Sequence, residues 1–144
     1  MAELTSTQLL RAVIEASDRF EAYLADELDL NPTDLDAMGH LMRNGPLGPT
    51  DLARRLGISA PAATAVVDRL SAVGHVQRQK HPTDRRAVVV APNPASVQMA
   101  RKALDPMINA LDETLLGFNE HDRGVIHRYL LAVLMEFEQR FPAR

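Results

Sequence analysis

The triplet Asp84-Arg85-Arg86 sets two guanidinium groups side by side behind a carboxylate, between two short runs of β-prone residues. Adjacent arginines at the tip of a ribbon suit a narrow groove between phosphate chains, where negative potential is enhanced. Asp84 is expected to hold one of these arginines in position through a charge-assisted hydrogen bond. The surrounding charge is lopsided. From Pro46 to Pro92 seven basic residues (Arg54, Arg55, Arg69, Arg78, Lys80, Arg85, Arg86) stand against three acidic ones (Asp51, Asp68, Asp84), although the whole 144-residue chain carries −3. A basic insert in an acidic frame suggests an anion-binding surface; charge alone does not separate it from chance clustering on a solvated face.

Other chemistry is poorly provided for. The absence of cysteine excludes thiol catalysis, disulfides and Cys-bound zinc. His40, His75, His81, His121 and His127 lack metal-ligand spacing; His121 and His127 are six apart and so do not share a helix face. Glu113 and Glu120, with Asp112 and Asp122, read as solvated helix charges. There is no Gly-rich phosphate loop and no convincing Ser/His/Asp set, so neither an enzyme nor a cofactor is expected. The opening MAELTSTQLLRA has no apolar run long enough for a signal peptide, and no stretch reaches 18 continuous apolar residues. A cytoplasmic protein with no membrane partner is the expectation. Length and a hydrophobic content of 46% fit one domain with a core.

The elements that must carry the basic residues are marked by repeated start and stop signals. Thr5 or Ser6 caps a long first helix with Leu9, Leu10, Val13, Ile14, Phe20, Leu24 and Leu28 at mostly helical spacing. Asn31-Pro32 opens a second helix with Asp34 in its first turn, and Asn44-Gly45-Pro46 ends it. Gly48-Pro49 starts a third helix over 50–56, stopped by Gly57, and Ser59 caps a fourth that runs to Gly74. Residues 76–78 and 87–90 read as strands joined by His81-Pro82-Thr83-Asp84, a hairpin with Lys80, Arg85 and Arg86 near its tip. Asn93-Pro94 opens a fifth helix to about Phe118, which Pro106 should kink or split, and a sixth runs from Glu120 or Asp122 to Phe141. In this last helix Tyr129, Leu130, Leu131, Val133 and Leu134 cover more than one face, so a partner chain is the natural cover.

The fourth helix divides cleanly by face. Ala63, Val66, Val67 and Leu70 have core spacing, while Ser59, Pro61, Ala62, Thr64, Ala65, Asp68 and Arg69 lie opposite. Small residues allow close approach to base edges, where a methyl can pack on thymine, and Arg69 could reach a guanine or, more often, a phosphate. Two short helices, a tight turn and a β-ribbon with a basic tip form a device for laying a helix in a DNA major groove.

The run LARRLGIS, AATAVVDRLSAVGHVQRQKHPTDRRAVVV resembles the winged helix-turn-helix of the multiple-antibiotic-resistance regulator (MarR) family. The matching elements are LA-x-x-LGIS, VVDRL-x-x-x-G-x-V-x-R and DRRA-x-V-V; the helical ends extend the likeness over nearly the whole chain. The fold class is thus mainly α with a small β-hairpin: four helices, a wing and two more helices in one domain over 1–144. Residues 1–30 and 94–144 would supply dimerisation helices, and 31–93 the DNA-binding lobe.

The resemblance implies a homodimeric, sequence-specific regulator of double-stranded DNA, most often a repressor, acting on a pseudo-palindromic operator. By position, Ser59, Pro61, Ala62, Thr64, Ala65 and Arg69 lie on the recognition helix and Arg86 enters the minor groove. Arg85 would assist it or bind phosphate, and Thr50 and Arg54 would contact backbone. Ala65 stands where some relatives carry a base-reading arginine, which makes shape readout correspondingly important. After the wing, Ala91-Pro92-Asn93-Pro94 replaces the Leu-Thr of many members and preserves a helix start. Relatives often release DNA when a small aromatic or phenolic anion binds, and Phe20, Tyr23, Met38, His40 and Met42 are the candidates for such a cleft. Core packing explains the apolar ones at least as well. The rival function is a winged-helix protein-interaction module that does not bind DNA.

Overall fold

A computed structural model describes residues 3–142. Its elements in chain order are α1 (Ser6–Glu27), α2 (Pro32–Asn44), α3 (Pro49–Leu56), α4 (Ala60–Ala72), β1 (Val76–Lys80), β2 (Val88–Pro92), α5 (Pro94–Leu116) and α6 (Glu120–Arg140). The start signals act as read. Thr5 forms a reciprocal capping box with Gln8, and the side chains of Asn31, Ser59, Asn93 and Asn119 each accept a backbone N–H in the first turn of α2, α4, α5 and α6. Gly57 ends α3 at φ 64°, a left-handed conformation that a side chain would strain, and so lets α4 start three residues later.

The core lies under α2, α3, α4 and the hairpin. Leu41, Leu52, Val66, Val67, Leu70 and Val90 are fully buried there, with Ala37, Met38, Leu47 and Val76 beside them. The antiparallel hairpin pairs Val76 with Pro92 and Lys80 with Val88, so β1 starts where expected and runs two residues longer, while β2 lies one to two residues further along the chain. Leu47 adds a third short edge: its N–H and carbonyl exchange bonds of 3.0 and 2.7 Å with Val90. This exchange ties the loop before α3 to the base of the hairpin.

The long helices stand largely outside this core. Leu24 and Ala25 are the buried residues of α1, Ser96 and Ala100 those of α5, and α6 has none among the described residues. Pro106 neither ends nor splits α5, which continues to Leu116. Its missing N–H removes the bond that would have gone to the Lys102 carbonyl. Arg123 secures the turn into α6: its Nε donates to the carbonyls of Leu115 and Phe118 (3.1 and 2.7 Å) and its Nη2 to that of Leu116 (2.9 Å). The Leu115 carbonyl also accepts the Phe118 N–H at 3.1 Å, so backbone and Arg123 together close the end of α5.

Two contacts join lobe and helices. The Asn93 N–H donates to the His75 carbonyl at 2.8 Å, and His75 Nδ1 lies 2.9 Å from Ser96 Oγ. The first residues of α5 are therefore fastened to the turn after α4. Among the described residues no helix is long and apolar enough to cross a membrane.

Candidate nucleic-acid interface

Burial of Ala63, Val66, Val67 and Leu70 decides which side of α4 faces out. The exposed side presents Ser59, Pro61, Ala62, Thr64, Ala65, Asp68 and Arg69, as the periodicity predicts. What the periodicity could not show is how little of that side is chemically free. Ser59 Oγ accepts the Ala62 N–H, and Thr64 Oγ1 donates to the Ala60 carbonyl at 3.1 Å. Asp68 pairs with Arg78 of β1 at 2.6 Å. Arg69 donates to Asp34 of α2 through Nε (3.1 Å) and Nη2 (2.7 Å).

The Arg69 pair corrects the reading of that arginine as simply a contact to guanine or phosphate. One edge of its guanidinium is spent on holding α4 to α2. The Asp34 side chain is 6% exposed and that of Arg69 49%, so the carboxylate is the buried member. Hydrogen bonding to the Asp34 carboxylate raises the Arg69 pKa further above its ordinary value, and the group remains a cation. Asp34 was visible in the sequence only as a first-turn acid that suits the helix dipole. Its partner is 35 residues away, and no local pattern joins them.

Thr50 and Arg54 are exposed on α3. Asp51 pairs with both Arg54 and Arg55. Hydrogen bonding to Arg54 and then to Arg55 holds its carboxyl below the usual range. An exposed pair of this kind is worth little and is readily exchanged for a phosphate contact.

At the wing, Arg85 and Arg86 are exposed, and no acidic side chain pairs with either among the described residues. The expected role of Asp84 needs correcting: its Oδ1 accepts the backbone N–H of Arg86 at 2.9 Å and makes no bond to either guanidinium. Asp84 thus fixes the backbone from which the arginines project and leaves their charges free. The Asp68–Arg78 pair fastens the recognition helix to the strand that carries this tip.

The five candidate ligand residues do not share a cleft. Phe20 and Tyr23 stack with ring centroids 6.3 Å apart and line an open groove of about 600 Å³ between α1 and α5, beside Lys102 and Pro106. Met38 is buried in the core, and with Met42 it borders a separate cavity of about 40 Å³ near His75 and Ser96. That volume holds a water molecule or so and no aromatic ring. His40 lines neither; its Nε2 lies 3.8 Å from Asp36 on the same helix. Spacing on two helices could not reveal that these side chains line different cavities.

A helix-turn-helix with a basic wing on an otherwise acidic chain defines a winged-helix regulator, and comparison with known proteins makes the class specific. Residues 28–87 match the MarR family. The chain is 33% identical over 138 residues to the HTH-type transcriptional regulator YcgE of Bacillus subtilis, covering 94% of this chain and 90% of that one. A MarR family protein from Bacillus stearothermophilus superimposes with a TM-score of 0.74 at 19% identity, over 91% of each chain. A Staphylococcus aureus MepR mutant bound to an oligodeoxyribonucleotide gives 0.63 at 17% identity, over 94% of this chain and 99% of that one. The protein belongs to the MarR family of transcriptional regulators and is not an enzyme.

The Asp34–Arg69 pair yields the first test. Removing Arg69 alone strands a buried carboxylate, whereas removing both charges strands none. Thermal unfolding should therefore show Arg69→Met lowering Tm more than the double variant Arg69→Met, Asp34→Asn does. A double-variant loss equal to the sum of the Arg69→Met and Asp34→Asn losses would mean that the two groups do not depend on each other.

Proposed function

We propose that the protein is a homodimeric, sequence-specific regulator of double-stranded DNA, acting as a repressor of its own or neighbouring genes. Residues 31–93 form the DNA-binding lobe, and 1–30 with 94–144 the dimerisation helices, within one domain. The observation that carries this reading is the wing tip, where Arg85 and Arg86 are exposed and pair with no acid among the described residues while Asp84 holds the Arg86 backbone. A scaffold that binds only protein has no need of such a tip.

In the bound complex α4 lies in a major groove and Arg86 enters the flanking minor groove, with Arg85 on phosphate. Thr50 and Arg54 contact backbone. Ser59, Pro61, Ala62, Thr64 and Ala65 face the bases; Ser59 Oγ and Thr64 Oγ1 each have one partner in the chain and keep an O–H donor and a lone pair respectively, so α4 reads chiefly by shape and methyl contact with two hydroxyls beside them. Arg69 offers only the guanidinium edge that Asp34 leaves open. A MepR relative's oligodeoxyribonucleotide complex supports DNA as the ligand class.

The dimer follows from unburied apolar surface. Val13 and Ile14 of α1, Ile108 and Leu111 of α5, and Tyr129, Leu130, Leu131 and Leu134 of α6 are all exposed in a single chain. Burying one such side chain is worth about 1.5–3 kcal/mol, and patches this extensive mark association sites. Two recognition helices then meet half-sites about 10 base pairs apart.

A small aromatic or phenolic anion is the proposed effector. The groove between α1 and α5 supports it, with the Phe20–Tyr23 stack as an apolar wall and Lys102 as a cation. Met38, Met42 and His40 take no part in this groove. A ligand there acts by favouring a spacing of the two lobes that does not fit DNA.

Three measurements bear on these points. Arg86→Ala should weaken binding to promoter DNA from around its own gene more than tenfold at unchanged Tm, and affinity within twofold of wild type would sink the wing assignment. No salt-dependent binding by the wild type even at low ionic strength would favour the protein-interaction scaffold. By sedimentation, the wild type should be a dimer and Leu130→Glu, Leu134→Glu a monomer; a wild-type monomer at micromolar concentration would overturn the assembly. Aromatic carboxylates should raise Tm in the wild type and not in Lys102→Met, and a flat response across a broad panel would count against an effector of this class.

A further inference from the structure

We infer that His81 is a positioning residue of the wing, whose unprotonated imidazole folds the tip that presents Arg85 and Arg86, and that acidification therefore loosens the grip on DNA. The inference rests on the DNA-binding reading above and adds to it a residue and a sign of pH dependence.

β1 ends at Lys80, and the chain must return to Val88. His81 organises that return. Its Nδ1 lies 3.2 Å from the Thr83 N–H nitrogen, 3.1 Å from that of Asp84 and 3.2 Å from Thr83 Oγ1. Backbone amides only donate, so Nδ1 must carry a lone pair here and the ring proton sits on Nε2. The bonds continue outward in sequence. The Ala87 N–H donates to the Asp84 carbonyl at 3.1 Å, the His81 N–H to the Ala87 carbonyl at 3.0 Å, and the Arg86 N–H to Asp84 Oδ1 at 2.9 Å. The imidazole holds the Asp84 backbone, and Asp84 holds that of Arg86.

A side chain that accepts the amides two and three residues on does the work usual for Asn or Asp in a turn. Asn Oδ1 and His Nδ1 are both δ1 atoms, four bonds from the backbone nitrogen, and either can meet those amides. They differ in one respect. A free histidine side chain takes a second proton near pH 6.5, which occupies the lone pair on Nδ1, whereas an amide oxygen remains an acceptor. The charged groups around the ring are Lys80, Asp84, Arg85 and Arg86 of its own hairpin; β2, which pairs with this end, contributes Val88 and Val89 and no charge. The Arg78–Asp68 pair lies further down the ribbon.

The sign follows from linkage. A proton on Nδ1 would take the lone pair that the Thr83 and Asp84 amides share, so the folded tip and a proton at Nδ1 exclude each other. Direct contact between a protonated His81 and phosphate would give the opposite sign, with binding tightening on acidification.

The full-length protein and His81→Asn test this in two arms. In the first, without DNA, ¹⁵N NMR should find wild-type Nδ1 unprotonated at pH 7.5. The Thr83 and Asp84 amides should titrate together with the His81 ring and stay still in His81→Asn. Amides that ignore the ring's titration would overturn the inference. In the second, a duplex selected from a random pool by the wild type at pH 7.5 is bound at pH 7.5 and 5.5. From the higher to the lower pH the wild type should lose roughly fivefold to tenfold in affinity relative to His81→Asn, the scale of a lost hydrogen bond or two. His81→Ala should be weak at both. A wild type that keeps pace with His81→Asn, or gains on it, would also overturn the proposal. If the wild type selects no duplex at all, the DNA reading fails, and the NMR arm alone decides whether His81 builds the tip.

Discussion

Everything this molecule offers to a partner depends on the burial of one stripe of α4. Val66, Val67 and Leu70 have nowhere to go but against Leu41 of α2, Leu52 of α3 and Val76 and Val90 of the hairpin. Once they are buried, the rotation of α4 about its own axis is set, because residues three and four apart share a face. The same contact brings the hairpin alongside α4 and sets Arg78 beside Asp68. Recognition helix and wing are therefore one rigid unit whose outward chemistry follows from an inward, apolar decision.

Electrostatics then divides that outward surface. Charges near α4 have partners within the chain: Arg69 has Asp34, Asp68 has Arg78, and Arg54 and Arg55 share the single carboxylate of Asp51. Those at the hairpin tip are not. The buried carboxylate of Asp34 explains part of this asymmetry, since a charge removed from water requires a partner and Arg69 supplies two hydrogen bonds. At the tip, by contrast, Asp84 spends its carboxylate on a backbone amide. The outward side of α4 thus carries mostly small or already paired side chains, while the hairpin tip carries arginines that pair with no acid among the described residues.

The remaining half of the chain has the opposite character. α6 buries nothing among the described residues, and α1 and α5 bury only the residues where they leave or enter the lobe. Long helices rich in Leu, Ile, Tyr and Phe cannot be stable as solvated rods, because helix propensity alone is marginal and tertiary packing supplies most of the stability. The His75–Ser96 contact and the Asn93–His75 bond place the joint between this part and the lobe at the first turn of α5.

The elements were legible in the sequence because their causes are local. Caps at Thr5, Asn31, Ser59 and Asn93, prolines at first helical positions, the left-handed Gly57 and the apolar period of α4 each act within about four residues. For the same reason the basic tip, the exposed face of α4 and the unburied face of α6 could be named in advance. Partnerships across the fold could not. Arg69 and Asp34 meet only because α2 and α4 pack together, and Phe20 and Met38 come to line different cavities through the packing of α1, α2 and α5. The Asp84 carboxylate chose an amide over a guanidinium, and His81 became a turn-former, through loop geometry that residue types do not encode. Short-range steric and capping rules determine what each segment is; the direction in which a charged side chain spends its hydrogen bonds is decided by which segment folding brings within 3 Å.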